Sequence, residues 1–284
     1  MALPVVLYFI IFNYIPMAGI VMAFEKFTVK DGIFGSPWVG LKNFTDFFQS
    51  YYCFRVIRNT FLLSFYDLIF GFPAPIIFAL LLNEVHSRVF KRSVQTISYL
   101  PYFISMVVIA GLIIDFTGSG GFITNILQNF GVKNENLLAK AEYFRTIFVS
   151  TNIWQNLGFG SIIYLASLSG IDPELYEAAV IDGAGKIKQI WHVTLPGISS
   201  TIIILLILRL GVMMTVSFEK VILLYSPITY ETADVISSFT YRKGLLEFNY
   251  GYSTAVGLFN SVINFILILT ANFLSRKYSE TSLF

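Results

Sequence analysis

Residues 171–197 read IDPELYEAAVIDGAGKIKQIWHVTLPG and lie between two long apolar runs, 146–168 and 197–218. The segment carries acids, lysines and glycines, so it cannot be a continuation of either run. Asp172-Pro173-Glu174 has the form of a helix start, with an N-cap acid, proline at the first helical position and an acid in the first turn. Gly183 suits the left-handed residue that ends a helix. A second helix over 184–194 is expected, with Leu195-Pro196-Gly197 turning the chain into the next apolar run. On the first helix Leu175, Ala178, Ala179 and Asp182 share one face, and its two central alanines allow close approach of a partner backbone. Glu177 lies beside that face and offers a carboxylate to a basic partner. Two readings fit this amphipathic pair: docking into a partner, or lying on the membrane surface.

The flanking runs set the class of the molecule. The 284 residues have a mean hydropathy of +0.71 and only 13% are charged, about half the usual charged fraction of a soluble domain. Six runs are long enough to cross a bilayer core of about 30 Å as helices: 3–24, 59–82, 94–114, 146–168, 197–218 and 252–274. Helices are expected because each satisfies its own backbone hydrogen bonds where water is absent. The first run lacks a basic n-region and a small-residue cleavage site, so it reads as a retained span rather than a signal peptide. Pro16, Pro73, Pro75 and Pro101 predict kinks or breaks, either as packing irregularities or as parts of a pathway.

Several function classes drop out. A net charge of +2 gives no electrostatic case for nucleic acid. Cys53 stands alone, and His86 and His192 are far apart, so no catalytic or metal-ligating set is expected. The GAGK in 183–186 fails as a phosphate-binding loop, because Val180 replaces its first glycine and Ile187 follows the lysine. Six spans put both termini on one side. Basic residues near the short loops on that side (Arg88, Lys91, Arg92, Lys186, Lys188, Arg276, Lys277) make it cytoplasmic by the positive-inside rule.

Within the spans, polar residues mark the interior. Trp154, Gln155, Asn156 and Tyr164 in the fourth run, with Asn260, Ser261 and Asn264 in the sixth, offer the amides and flat rings that a sugar needs. The other reading of each is hydrogen-bonded glue between helices. Asp67 and Arg209 are intramembrane charges that must face protein or water. They are expected to pair with each other or with a partner, or to line the path. The aromatics Trp38, Tyr51, Tyr52, Tyr241 and Tyr250 suit a docking surface in the outer loops or an interfacial belt.

The spacing EAA, three residues, Gly, nine residues, a β-branched residue, one residue, Leu-Pro is met by Glu177, Ala178, Ala179, Gly183, Val193, Leu195 and Pro196. It resembles the EAA loop of membrane subunits of binding-protein-dependent ABC importers. FNYIPMAGIVMAF, GFPAPIIFALLLNEV, FKRSVQTISYLPYFIS, IIYLASLSGIDPELYEAA and TAVGLFNSVINF extend the likeness to the polysaccharide and complex-sugar permeases of the maltose-transporter superfamily, the LplB-like branch in particular. Such permeases usually have a basic stretch before span one. This chain starts at Met1-Ala2-Leu3, which leads to the expectation of truncation or a different start site.

The resemblance implies an all-α, six-span permease forming one domain over 1–284, with its core at about 59–275 and the coupling loop at 171–197. It implies coupling through Glu177, Ala178, Ala179, Asp182, Gly183, Leu195 and Pro196 to a cytoplasmic ATPase, a homodimer or a pair, which binds the ATP and Mg. No cofactor is expected in this chain. The other implied partners are a second homologous permease, an extracellular or periplasmic solute-binding protein, the carbohydrate cargo and the lipid of the plasma or inner membrane. The alternatives are an importer of a non-sugar solute and a stand-alone ion-coupled transporter, which would need an internal repeat and several membrane carboxylates.

Overall fold

The structure is a computed structural model that describes residues 2–278; the end of the expected basic tail, 279–284, lies outside them. The described residues are helical almost throughout, with one isolated β-bridge, Glu25 to Trp38. Four helices are long and apolar enough to cross a membrane: α1 (Leu3–Phe24), α2 (Cys53–Asn83), the stretch Met106–Gln128, and α8 (Tyr250–Tyr278). A fifth crossing is a bent pair, Lys186–Gly197 followed by Ser199–Gly211, with 63° between its parts.

The expected fourth span is α5 (Ala141–Leu168), whose 28 residues cover roughly 42 Å. Its length suffices, but its amides and hydroxyls keep it below the hydropathy of the other crossings. The apolar count is therefore four, or five with the bent pair, against the six expected from the sequence. The expected third span also shifts. Helix α3 (Arg88–Tyr99) ends in a tight turn at Leu100–Phe103, where Pro101 lies, and α4 (Met106–Thr117) begins after it. The expected fifth span stops early, because its helix, α7, ends at Gly211 rather than at Phe218.

Pro16, Pro73, Pro75 and Pro101 each lie in or next to a change in helical pitch. Within α2 the turn widens over Asp67–Gly71, where Phe72 N donates to Asp67 O at 3.1 Å, five residues back. Pro73 and Pro75 follow, and neither has an N–H to give. In α1 a wide turn at Ile10–Tyr14 precedes a tight one over Ile15–Phe24, which contains Pro16.

Helix α2 packs along α5, α7 packs on α8, and the last turns of α1 lie against α8. None of the apolar window of α1 is buried inside the chain, so its apolar surface is left uncovered by the other helices. Helices α3 and α5 approach closely at Gly158, where an added Cβ would stand 2.2 Å from Ser98 O. Gly158→Ala is expected to cost about 1–3 kcal/mol through overpacking, read as a lower Tm in detergent. Gly257→Ala, where a Cβ meets nothing within 4 Å, is expected to leave Tm almost unchanged.

Candidate translocation cavity and coupling surface

One end of the bundle carries the segment with which the sequence analysis began. Helix α6 (Pro173–Ile181) starts as its sequence predicts, with Asp172 Oδ1 accepting from Glu174 N at 3.0 Å. It ends with Gly183 at φ +73°. Gly183 N donates to Val180 O at 3.0 Å and Ala184 N to Ala179 O at 2.8 Å, so the last carbonyls are satisfied by a Schellman closure. Lys186–Gly197 then returns the chain to α7 through a wide turn at Ile190–Thr194.

Two contacts brace this segment internally and one ties it to the bundle. Tyr176 Oη and Thr194 Oγ1 lie 3.1 Å apart, Gln189 Nε2 donates to Ala184 O at 2.9 Å, and Lys186 Nζ lies 2.9 Å from Glu84 Oε2 at the end of α2. The rest is open. Leu175, Ala178 and Asp182 of the expected face are exposed, and Ala179 is half-buried. Val180, Ile181, Ile187 and Trp191 add large exposed apolar side chains. Glu177 is also exposed and lines a cleft of about 580 Å³ with Asn83, Glu84, His86 and Tyr176. Leu195 is half-buried and Pro196 exposed at the re-entry turn.

Inside the bundle a cavity of about 650 Å³ lies between α2, α5 and α7. The wide turn of α2 places Asp67 in its wall, where its carboxylate pairs with Arg209 from α7 and accepts from Asn152 Nδ2 of α5. Gly71 makes room for that carboxylate, since a Cβ there would meet Asp67 Oδ1 at 2.8 Å. Asn156 Nδ2 donates to Asn152 O at 2.9 Å and Oδ1 at 3.1 Å, extending the polar wall along α5. Gln155 and Ser64 are buried in the same wall, and Gln155 Oε1 and Ser64 Oγ have no hydrogen-bond partner. Tyr164, Phe72 and Phe148 supply flat apolar faces.

At the opposite end of α2, the segment after α7 folds back onto the bundle as short helices. Asp234, fully buried, accepts from Arg242 Nη2 at 2.7 Å, Arg55 Nη2 at 3.3 Å and Ser238 Oγ at 2.9 Å. Asn59 Nδ2 donates to Glu231 O and Asp234 O, and Asn59 Oδ1 accepts from Arg145 of α5. Burial alone would lower the Arg242 pKa, but the hydrogen bonds and charge of Asp234 outweigh it and hold the guanidinium above its ordinary value. Lys220, fully buried, donates to Phe148 O at 3.1 Å and lies over the Phe148 ring. These bonds turn an expected outer loop into a folded cover over the far end.

The structure separates the expected path residues. Gln155, Asn156 and Tyr164 line the cavity together with both intramembrane charges. Trp154 is about half exposed and is not among the lining residues. Asn264 Oδ1 accepts from Met214 N at 2.9 Å and its Nδ2 donates to Thr215 Oγ1, so this side chain stabilises the break after α7. Asn260 is half-buried, outside the cavity lining, with Oδ1 unpartnered. Sequence reasoning missed Ser64 and Asn152 in the wall, although Asn152 lies one helical turn before Asn156. It also missed Asp234, whose partner Arg55 is 179 positions away. Trp38 stacks on Phe24 with centroids 5.5 Å apart, and Tyr250 meets Phe27 edge-on, as interfacial aromatics do.

An apolar bundle with a polar cavity inside it and an exposed amphipathic segment at one end defines a membrane transport component. The chain belongs to the family of binding-protein-dependent transport system inner membrane components, which matches residues 71–280. It is a multi-pass membrane permease subunit. It is 43% identical to Protein LplB of Bacillus subtilis (strain 168), over 99% of this chain and 89% of that protein. It is 42% identical to the polygalacturonan/rhamnogalacturonan transport system permease protein YteP of the same organism, over 100% of this chain and 89% of that protein. Among solved structures it resembles a chain of a bacterial ABC transporter involved in the import of the acidic polysaccharide alginate. That chain is 46% identical with a TM-score of 0.91, and the match covers 98% of this chain and 94% of that one. A second structure, a bacterial alginate ABC transporter in complex with an alginate pentasaccharide-bound periplasmic protein, gives 45% identity and a TM-score of 0.92 over 100% and 95% of the two chains.

Two charge pairs give measurable expectations. Asp234→Asn is expected to destabilise the far-end cover by about 3–5 kcal/mol, because it strands two arginines against a buried site. Limited proteolysis within 218–246 reads the effect. Asp67→Asn is expected to cost less, roughly 1–3 kcal/mol, because the Arg209 side chain is 46% exposed to the cavity. Much of that loss should return in Asp67→Asn/Arg209→Gln, measured by Tm.

Proposed function

We propose that this chain is one half of the transmembrane pathway of an ABC importer for an oligosaccharide or polysaccharide, driven by a separate ATPase. The exposed face of residues 171–197 carries the reading. Leu175, Val180, Ile181 and Ile187 are apolar and uncovered on a segment whose ends are capped and whose base is tied to α2 and α7. A rigid, amphipathic, unpartnered knob at the end of the membrane bundle suits insertion into a cleft of another subunit. Glu177, Ala178, Ala179, Asp182, Gly183, Leu195 and Pro196 are the coupling residues in this account. The ATP and Mg belong to the ATPase, a homodimer or a pair.

The partner surfaces follow from the same geometry. A second homologous permease completes the pathway, and a solute-binding protein delivers cargo at the end covered by 218–246. The coupling end and both termini are cytoplasmic, which agrees with the basic residues near it. Six crossings are proposed within one domain over 1–284: the four long apolar helices, the bent pair and α5, the third crossing lying at Met106–Gln128 rather than 94–114. In alternating access, ATP-driven motion of α6 reaches the cavity through Tyr176 and Thr194, the Lys186–Glu84 pair beside α2 and the continuation of the chain into α7. The cargo assignment is supported by the amides and flat rings of the cavity wall and by the similarity to carbohydrate permeases.

Glu177→Lys and Gly183→Pro test the coupling. Gly183 has a positive φ that proline cannot adopt, so its substitution dismantles the closure of α6. The expected result in the reconstituted complex is loss of ATP-driven uptake with ATPase activity and the thermal stability of this chain retained. Normal uptake by both variants would contradict the assignment.

A further inference from the structure

We infer that Arg209 forms an anion-binding subsite inside the cavity, which takes the carboxylate of an acidic sugar unit during passage; the inference rests on the importer reading above. Arg209 is the one cation among the residues lining the cavity, and Asp67 is the one acid. The two are unequally presented. The Asp67 side chain is 8% exposed and is engaged by both Arg209 and Asn152, whereas the Arg209 side chain is 46% exposed. Both side chains line the cavity, and that of Arg209 is the more open of the two, although the pair is neutral.

A guanidinium has five N–H donors in a planar fork, and Asp67 engages this one through Nη2. The remaining donors have no other partner among the described residues. A planar carboxylate approaching from the cavity can take two of them side by side, the strongest charge-assisted arrangement available to an acidic sugar. In surroundings of low dielectric such a contact discriminates against an uncharged analogue far more than it would in water.

The neighbouring wall fits the rest of a sugar. Asn152 and Asn156 present amides on α5. Ser64 Oγ and Gln155 Oε1 are buried beside the cavity without a hydrogen-bond partner. Charge on one side and the amides of Asn152 and Asn156 beside it match a ring bearing both a carboxylate and hydroxyls.

The experiment is uptake into proteoliposomes containing the whole complex with its binding protein. The probes are a short oligogalacturonate and the same oligomer with its carboxylates methyl-esterified. Each variant is compared with the unaltered complex using the same binding protein, so any change in the ratio of acidic to esterified uptake arises in this chain. Arg209→Gln/Asp67→Asn, which removes both charges without stranding either, is expected to lower that ratio about tenfold, the scale of one lost hydrogen-bonded charge contact. Arg209→Lys, which keeps the charge but loses the fork, is expected to fall between. Equal loss for both probes would overturn the inference and leave Arg209 a purely structural partner of Asp67. An unaltered complex that carries neutral oligosaccharides but neither galacturonate probe would overturn the inference and keep the importer reading. Failure to carry any oligosaccharide would overturn both.

Discussion

A guanidinium inside a membrane bundle must have a counter-charge or water, since exposure at the centre of a bilayer costs roughly 2.5–3.5 kcal/mol on insertion scales. The pairing of Arg209 with Asp67 meets that requirement, and much of the bundle is arranged around it. It fixes α7 against the middle of α2. It requires the wide turn at Asp67–Gly71, which brings the carboxylate into the wall, and a glycine at 71 to leave room for it. It recruits Asn152 and so fixes α5 to the same point. Three helices meet there, and the polar cavity is the space they leave between them.

Helix α2 connects this junction to both ends of the molecule. Near its start, Arg55 and Asn59 hold the folded cover through Asp234 and the backbone of 231–234. Just past its end, Glu84 meets Lys186 at the base of the coupling segment. Segment 171–197 thus touches the end of α2 through this pair and runs into α7 through the bend at 197–199. The junction at Asp67 and Arg209 joins the same two helices. In the proposed mechanism, these ion pairs and packed helices are the route by which motion at one end reaches the cavity and the far cover.

Much of this was legible in the sequence where the signal was local. The start of α6 at Asp172-Pro173, its closure at Gly183 and the return at Leu195-Pro196 all follow from residues within a few positions of one another. The intramembrane pair was legible as two charges in need of company. Span limits were less so. The run 197–218 is apolar to its end, yet the helix stops at Gly211, where the next residues bond to Asn264 of α8. Helix α5 is long but polar, since its Asn152, Gln155 and Asn156 face the cavity and not lipid. The cover escaped notice because Asp234 is buried by partners up to 179 positions distant, and no period within 219–251 encodes such a pairing. Asn264 and Asn156 look alike in sequence; only packing makes one a brace and the other part of a wall.

The central claim is that this permease works as half of an ATP-driven pathway and not alone. Its most direct test is extraction of the tagged chain from its native membrane in mild detergent, after light crosslinking, with mass identification of what accompanies it. The account predicts a second, homologous permease and an ATPase subunit in stoichiometric amounts. A chain recovered by itself after gentle extraction would contradict it.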